Sequence, residues 1–206
     1  MIELELRGEC TDSYDALKAK LDERAKQAGI KPVLKRRTSV MCFGSMGEKK
    51  VDIRCRITSG KAEVVAKIGA FHAHDRTEVT QEVSQDQMMG FARIFAAMDF
   101  SHVKVGTRFQ IHYHIDGVEV TLARGQSALA YAEFEVEAEY GSQLEEEKKK
   151  LEDLAASLGV SLWKTGEEFY AFCDRLTNEE DWEFTGSDAD MARLREQIIS
   201  TGSDRA

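Results

Sequence analysis

The chain has no apolar run long enough to cross a membrane, no basic segment followed by an apolar stretch at its start, no paired cysteines and no internal repeat. Each absence excludes something. A membrane-spanning helix has no candidate, and without a leader pattern the expectation is a cytoplasmic protein. Cys10, Cys42, Cys55 and Cys173 show no CxxC spacing, which argues against a zinc site or a disulfide framework and leaves them as small packing residues. Positive charge is also short: 28 Lys and Arg against 37 Asp and Glu give a net −9. That balance argues against broad nucleic-acid binding through the outer surface, though not against a local cationic cleft.

What is present describes an ordinary globular chain of 206 residues, 42% hydrophobic and 32% charged, long enough to bury a core. Residues 1–160 read as a main body dominated by strands, with 161–206 as a helical extension packed on it. Thr11 to Ala28 has helical spacing and a Gly29 stop. Strand-like runs cover 34–43, 51–57, 62–69 and 76–83; Ser84 with Gln87 then announces a helix. Asp116-Gly117 joins 109–115 to 118–122 as a tight hairpin, so Ile115 faces Val118, His114 faces Glu119 and His112 faces Thr121. A further strand covers 130–140, and Ser142 with Glu145 starts a helix closed by Gly159. In the extension, Thr165 with Glu168 and Thr177 with Glu180 read as helix starts, and Ser187 opens a last helix through Ile199.

The faces of these strands carry the chemistry. Glu3, Glu5 and Arg7 alternate with Ile2, Leu4 and Leu6, and Glu133, Glu135 and Glu137 alternate with Phe134 and Val136. Arg54 and Arg56 project together; Glu63 and Lys67 share a face, as do Arg76, Glu78 and Glu82; Arg108, Gln110, His112 and His114 share another with Glu119. About eight strands thus have one apolar and one charged face. Closing them into a barrel turns the apolar faces outward beneath the helices. The charged faces then line a lumen where cations bind phosphate oxygens and carboxylates hold hard divalent ions. His72, His74, His102, His112 and His114 do not suggest zinc, because His72-Ala73-His74 falls at a turn and His112 and His114 have no cysteine nearby.

These residues resemble the CYTH superfamily, the triphosphate tunnel metalloenzymes that include class IV adenylyl cyclases, thiamine triphosphatases and inorganic triphosphatases. Glu3-Leu4-Glu5-Leu6-Arg7 is similar to the family's ExExK, and Arg54-Cys55-Arg56, Lys67, Arg76 with Glu78, Arg108 and Glu133-Phe134-Glu135 follow in the family's order. Two positions depart: Arg7 stands where the family generally has Lys, and Val120-Thr121-Leu122-Ala123-Arg124 lacks the family's late aspartate.

The resemblance implies an α+β fold built on an eight-stranded, closed antiparallel barrel with helices outside. It implies a metal-dependent triphosphatase acting on inorganic triphosphate or a small organic or nucleoside triphosphate. Glu3, Glu5, Glu133 and Glu135 would hold Mg²⁺ or Mn²⁺; Arg7, Arg54, Arg56, Lys67, Arg76 and Arg108 would grip the phosphates; Glu3, Glu5, Glu135 and Lys67 would form the catalytic group. A class IV type adenylyl cyclase and a catalytically impaired phosphate- or nucleotide-binding module are the alternatives. The expected partner is a small-molecule triphosphate, without membrane or nucleic acid, and a homodimer is compatible with the reading.

Overall fold

A computed structural model gives the fold and describes residues 2–10, 13–69, 77–126, 129–138 and 142–202. In chain order the elements are β1 (Ile2–Cys10), α1 (Tyr14–Gln27), β2 (Val33–Met46), β3 (Lys49–Thr58), β4 (Lys61–Ile68), β5 (Thr77–Val83), α2 (Gln85–Ala96), β6 (His102–Ile115) and β7 (Val118–Arg124). They continue as β8 (Ala130–Ala138), α3 (Ser142–Leu158), β9 (Val160–Leu162), α4 (Gly166–Glu180), β10 (Trp182–Glu183) and α5 (Asp188–Gly202).

The architecture is α+β with an antiparallel sheet in the order β5-β4-β3-β2-β6-β7-β8-β1-β9, β10 adding to β6. This corrects the expectation of eight closed strands. Ten are described, and among the described residues the path ends at β5 and at β9. The two extra strands have only three and two residues, too few for an alternation to show in sequence. At the other end β5 is exposed along nearly its whole length, as an edge strand is.

The contacts divide the chain into two units, Met1–Lys35 with Phe109–Arg175, and Arg36–Arg108 with Leu176–Ala206. In the first, Leu17, Leu21 and Ala25 of α1 and Leu151, Ala155 and Leu158 of α3 bury against Val120, Leu122 and Phe134. In the second, Met88, Met89 and Ala92 of α2 and Leu194 and Ile198 of α5 bury against Val40, Cys42, Cys55 and Ile57. Helices therefore cover the apolar strand face in each unit, as the alternation requires.

Local chemistry sets the element ends. Ser13 accepts from Ala16 N at the start of α1, and Ser84 and Gln87 form a complete capping box on α2. Thr165 and Glu168 exchange backbone contacts at the start of α4. Thr177 and Glu180, read as another helix start, instead lie inside α4, because buried Phe169, Phe172 and Leu176 continue one helical stripe through that point. At the hairpin, Asp116 (φ 53°) and Gly117 (φ 73°) adopt the left-handed pair that the tight turn needs, and the expected register follows residue for residue.

Gly8 shows how closely β1 and β9 approach, since a Cβ there would collide with the Ser161 carbonyl and the Val160 side chain. Gly8→Ala is expected to loosen β9 and lower stability by about 1–3 kcal/mol, read by chemical denaturation.

Candidate functional site

In the first unit the polar strand face is organised in rungs. One rung runs Glu5, Glu135, Glu119, His114 across β1, β8, β7 and β6; the next runs Arg7, Glu133, Thr121, His112. Arg7 forks onto Glu5, with Nε donating to Oε1 at 2.5 Å and Nη2 to Oε2 at 2.6 Å, while Nε also lies 3.2 Å from Glu133 Oε1. Burial works against the guanidinium charge, but Glu133 and Glu5 outweigh it and hold Arg7 above its ordinary pKa. The Phe169 ring lies 5.4 Å beneath the guanidinium carbon. His112 Nδ1 is 2.9 Å from Glu119 Oε1 and 3.1 Å from Thr121 Oγ1.

Glu3 takes the register position opposite Glu137, with its side chain outside the described residues. Arg76, His72 and His74 also lie outside them.

The second unit has the complementary pattern. Asp52, Lys67 and Glu78 form one rung across β3, β4 and β5, and Arg56, Glu63 and Glu82 form another. Arg54 donates from Nε to Asp52 Oδ1 at 3.0 Å and from Nη2 to Oδ2 at 2.7 Å, and Asp52 is 1% exposed. Arg56 meets Glu63 at 2.8 Å and Lys67 meets Glu78 at 2.7 Å. Arg108 forks onto Asp181 at 2.7 and 2.8 Å, where Asp181 has no exposed side-chain surface. Burial pushes the Asp181 carboxyl up against the pull of Arg108. Gly106 lies under this pair, since a Cβ there would run into the Asp181 carboxylate.

Sequence reasoning missed Asp52, Asp181 and the place of Glu119 beside Glu135. Asp52 was within reach, because it falls on the same alternation as Arg54 and Arg56. Asp181 was not: it comes from the extension, 73 residues from its partner, with no local pattern to mark it.

A donor set of carboxylate oxygens suits Mg²⁺ or Mn²⁺. Chemically Glu5, Glu133 and Glu135 fit such an ion, yet among the described residues no three His, Cys, Asp or Glu side chains are grouped to hold one. Each Glu5 oxygen already accepts one hydrogen bond from the Arg7 fork, so its charge is partly neutralised before any ion arrives.

No protein-family model matches the sequence, and no curated protein matches it significantly. Solved structures do share its fold. A protein from Pyrococcus horikoshii OT3 is similar with a TM-score of 0.57 at 18% identity, over 84% of this chain and 99% of that one. A candidate adenylate cyclase from Vibrio parahaemolyticus gives 0.56 at 15% identity, over 83% and 98%. A chain of the Schizosaccharomyces pombe Mediator head module gives 0.53 at 12% identity, over 79% and 98%. At these identities the likeness shows the fold alone, and that fold is of the CYTH type that the strand motifs resemble.

The ion pairs are open to direct test. Arg108→Met or Asp181→Asn alone is expected to lower stability by about 3–5 kcal/mol, because each strands a buried partner; Arg108→Met with Asp181→Leu should recover most of that loss in a denaturation cycle. Glu63 offers a pH test. Burial alone would raise its carboxyl, but the hydrogen bond and charge of Arg56, with Lys61 and Arg37, hold it below its usual 4.5. A depressed acid contributes stability above its unfolded pKa and loses it as pH falls through the folded one. Glu63→Gln should therefore cost about 1–2 kcal/mol at pH 7, with the gap to the parent closing as pH falls below the usual 4.5 and through the lowered folded-state value.

Proposed function

We infer that the chain is a divalent-metal-dependent triphosphatase, a phosphoric anhydride hydrolase acting on inorganic triphosphate or a small organic or nucleoside triphosphate. The observation that carries this reading is the charge on two strand faces, each in its own unit: carboxylates crowd β1 and β8, and Arg and Lys recur on β3 and β4. Carboxylates of that density suit a hard divalent ion, and the cations suit phosphate oxygens.

In this reading Glu3, Glu5, Glu133 and Glu135 hold Mg²⁺ or Mn²⁺, which when bound supplies Lewis-acid polarisation and a more acidic water. Arg54, Arg56, Lys67, Arg76 and Arg108, with Arg7, neutralise the phosphate oxygens as the terminal P–O bond breaks. Asp52 keeps the Arg54 fork oriented, and Lys67 brings a compact point charge on a longer, mobile stem. Lys67 is the better candidate to follow a moving phosphoryl group, because its Glu78 partner is 44% exposed and easily released.

A second reading, a phosphate-binding module without turnover, is favoured by the Arg7 fork, which engages Glu5 and Glu133. The fold of the Vibrio neighbour keeps a cyclase in view. Products separate the three: orthophosphate from triphosphate, cyclic AMP with pyrophosphate, or binding alone.

With Mg²⁺ or Mn²⁺ and a panel of triphosphates, the expected result is orthophosphate release that Glu135→Gln abolishes while the fold survives. Lys67→Ala should weaken triphosphate binding roughly ten- to hundredfold, the loss of one charge-assisted contact. Undiminished turnover in both variants would remove these residues from the mechanism.

A further inference from the structure

Among the described residues the sheet path stops at β5, in the second unit, with no strand paired to its outer edge. An edge strand presents a row of backbone donors and acceptors to any extended chain that can lie beside it. On its apolar face β5 carries Val79, aligned with Ala66 of β4 and Ile53 of β3. Helix α2 covers that face over β3 and β4. One flank of α2 is tied to the start of α5, where Arg93 Nη2 donates to Asp188 Oδ1 at 2.9 Å and Ala96 lies close to Gly186. The other flank turns the opposite way, toward β5, and carries Phe91 and Ile94, with Met98 continuing the spacing just past the helix end. Val79 and these three are 38–58% exposed, so an apolar step runs along the open edge.

The polar face sets which chemistry this step accepts. Two rungs cross the unit, Asp52, Lys67, Glu78 and Arg56, Glu63, Glu82, and both stop at β5 in a carboxylate. Glu78 meets Lys67 at 2.7 Å and Glu82 meets Lys61 at 3.0 Å, yet both keep large exposed side-chain surfaces, 44% and 65%. The next place on each rung, beyond the edge, is therefore favourable for a cation and unfavourable for an anion. Glu78 and Glu82 lie four residues apart on one face with Thr80 between them. An incoming strand meets them with its first and fifth side chains and turns the alternate ones to Val79 and the flank of α2. A second copy of β5 does not fit: full overlap of two antiparallel β5 strands centres on Thr80 and sets Glu78 against Glu82.

We propose that the β5 edge, with the exposed flank of α2, is a docking site for an extended segment of another protein in which basic residues alternate with apolar ones. The segment adds to β5 as a further strand, its cations opposite Glu78 and Glu82 and its apolar side chains beside Val79, Phe91 and Ile94. Backbone pairing supplies the hold. The two carboxylates supply the choice, since they turn away an acidic strand or a second β5.

The probe is a fluorescent heptapeptide, Val-Lys-Val-Thr-Val-Lys-Val, titrated with the full chain by anisotropy. Beside it stand its twin with Glu for each Lys and a scrambled peptide of the lysine composition with the two lysines adjacent. The parent should bind the alternating lysine peptide about tenfold more tightly than the Glu twin, the swing from two cross-strand pairs of opposite rather than like charge. It should also prefer it to the scrambled peptide, and hydrogen exchange of backbone amides within 77–83 should slow on binding. Glu82→Lys is expected to shrink the preference over the Glu twin by about threefold or more, one rung's share. Ile94→Ser should weaken the lysine peptide by about tenfold through lost apolar burial. Both residues are exposed, so each variant should melt close to the parent. No binding of the lysine peptide, equal binding of all three peptides, or unchanged exchange within 77–83 would overturn the proposal. So would a chain that sediments as a dimer and excludes the lysine peptide, since the edge would then belong to a second copy. These parent measurements decide the matter even if a variant fails to fold.

Discussion

Carboxylates facing one another across neighbouring strands repel unless a cation sits among them, and the first unit is arranged around that constraint. Glu5 opposes Glu135, Glu135 opposes Glu119, and Glu133 sits one rung away. Arg7 is the answer given by the chain itself. Its planar fork takes both oxygens of Glu5 and reaches Glu133, binding β1 to β8 by charge as well as by the backbone ladder. The apolar residues between these charges, Leu4, Leu6 and Phe134, turn the other way into the core under α1 and α3. One alternation thus sets the core and the charged face together, and a slip of one residue would exchange them.

The second unit meets the same constraint with the signs reversed. Arg54, Arg56, Lys67 and Arg108 each have a carboxylate within hydrogen-bonding reach. These pairs differ in kind. Arg108 with Asp181 is closed off from water, so its carboxylate serves chiefly to keep a buried guanidinium from being stranded, and such a pair adds little net stability over an apolar replacement. Lys67 with Glu78 is half in water and easily exchanged for another anion. Between them, Arg54 is held by a buried Asp52 yet keeps a quarter of its own surface accessible, so its guanidinium is fixed in direction without being enclosed. Lys67 and Arg54 are therefore more accessible than Arg108, a distinction that alternation alone does not make.

Such a ranking depends on packing, whereas the strand faces depend on neighbours in the chain. Alternation and the Asp116-Gly117 turn are local, so the faces of β1, β3, β4 and β8 and the register of the hairpin were legible in the residues themselves. Asp181 reaches Arg108 from the far side of 73 residues, and β9 and β10 are pinned by pairing with β1 and β6, with no pattern of their own. Thr177 misled because Thr followed three residues later by Glu is a helix start only where the apolar stripe also starts; here the stripe was already running. Gln110 was placed on the right face, but the burial of its oxygen comes from neighbouring strands and leaves no mark in the local pattern.

In the triphosphatase reading, Arg7, which stands where the family that the strand motifs resemble generally has lysine, becomes the point on which chemistry turns. A lysine offers a compact ammonium that shares one carboxylate oxygen at a time, leaving the others to a metal ion; the fork of Arg7 takes both oxygens of Glu5 in fixed geometry. A divalent ion has twice the charge of the guanidinium but must also shed part of a tightly held water shell to bind. Whether it displaces Arg7 depends on what else enters with it. In the triphosphatase reading, a triphosphate would bring its own negative oxygens to the same face and give Arg7 an alternative partner that accepts the same two-pronged contact as Glu5. Substrate and metal would then help one another to bind, each removing the obstacle to the other, and the resting fork would hold the carboxylates together until both arrive.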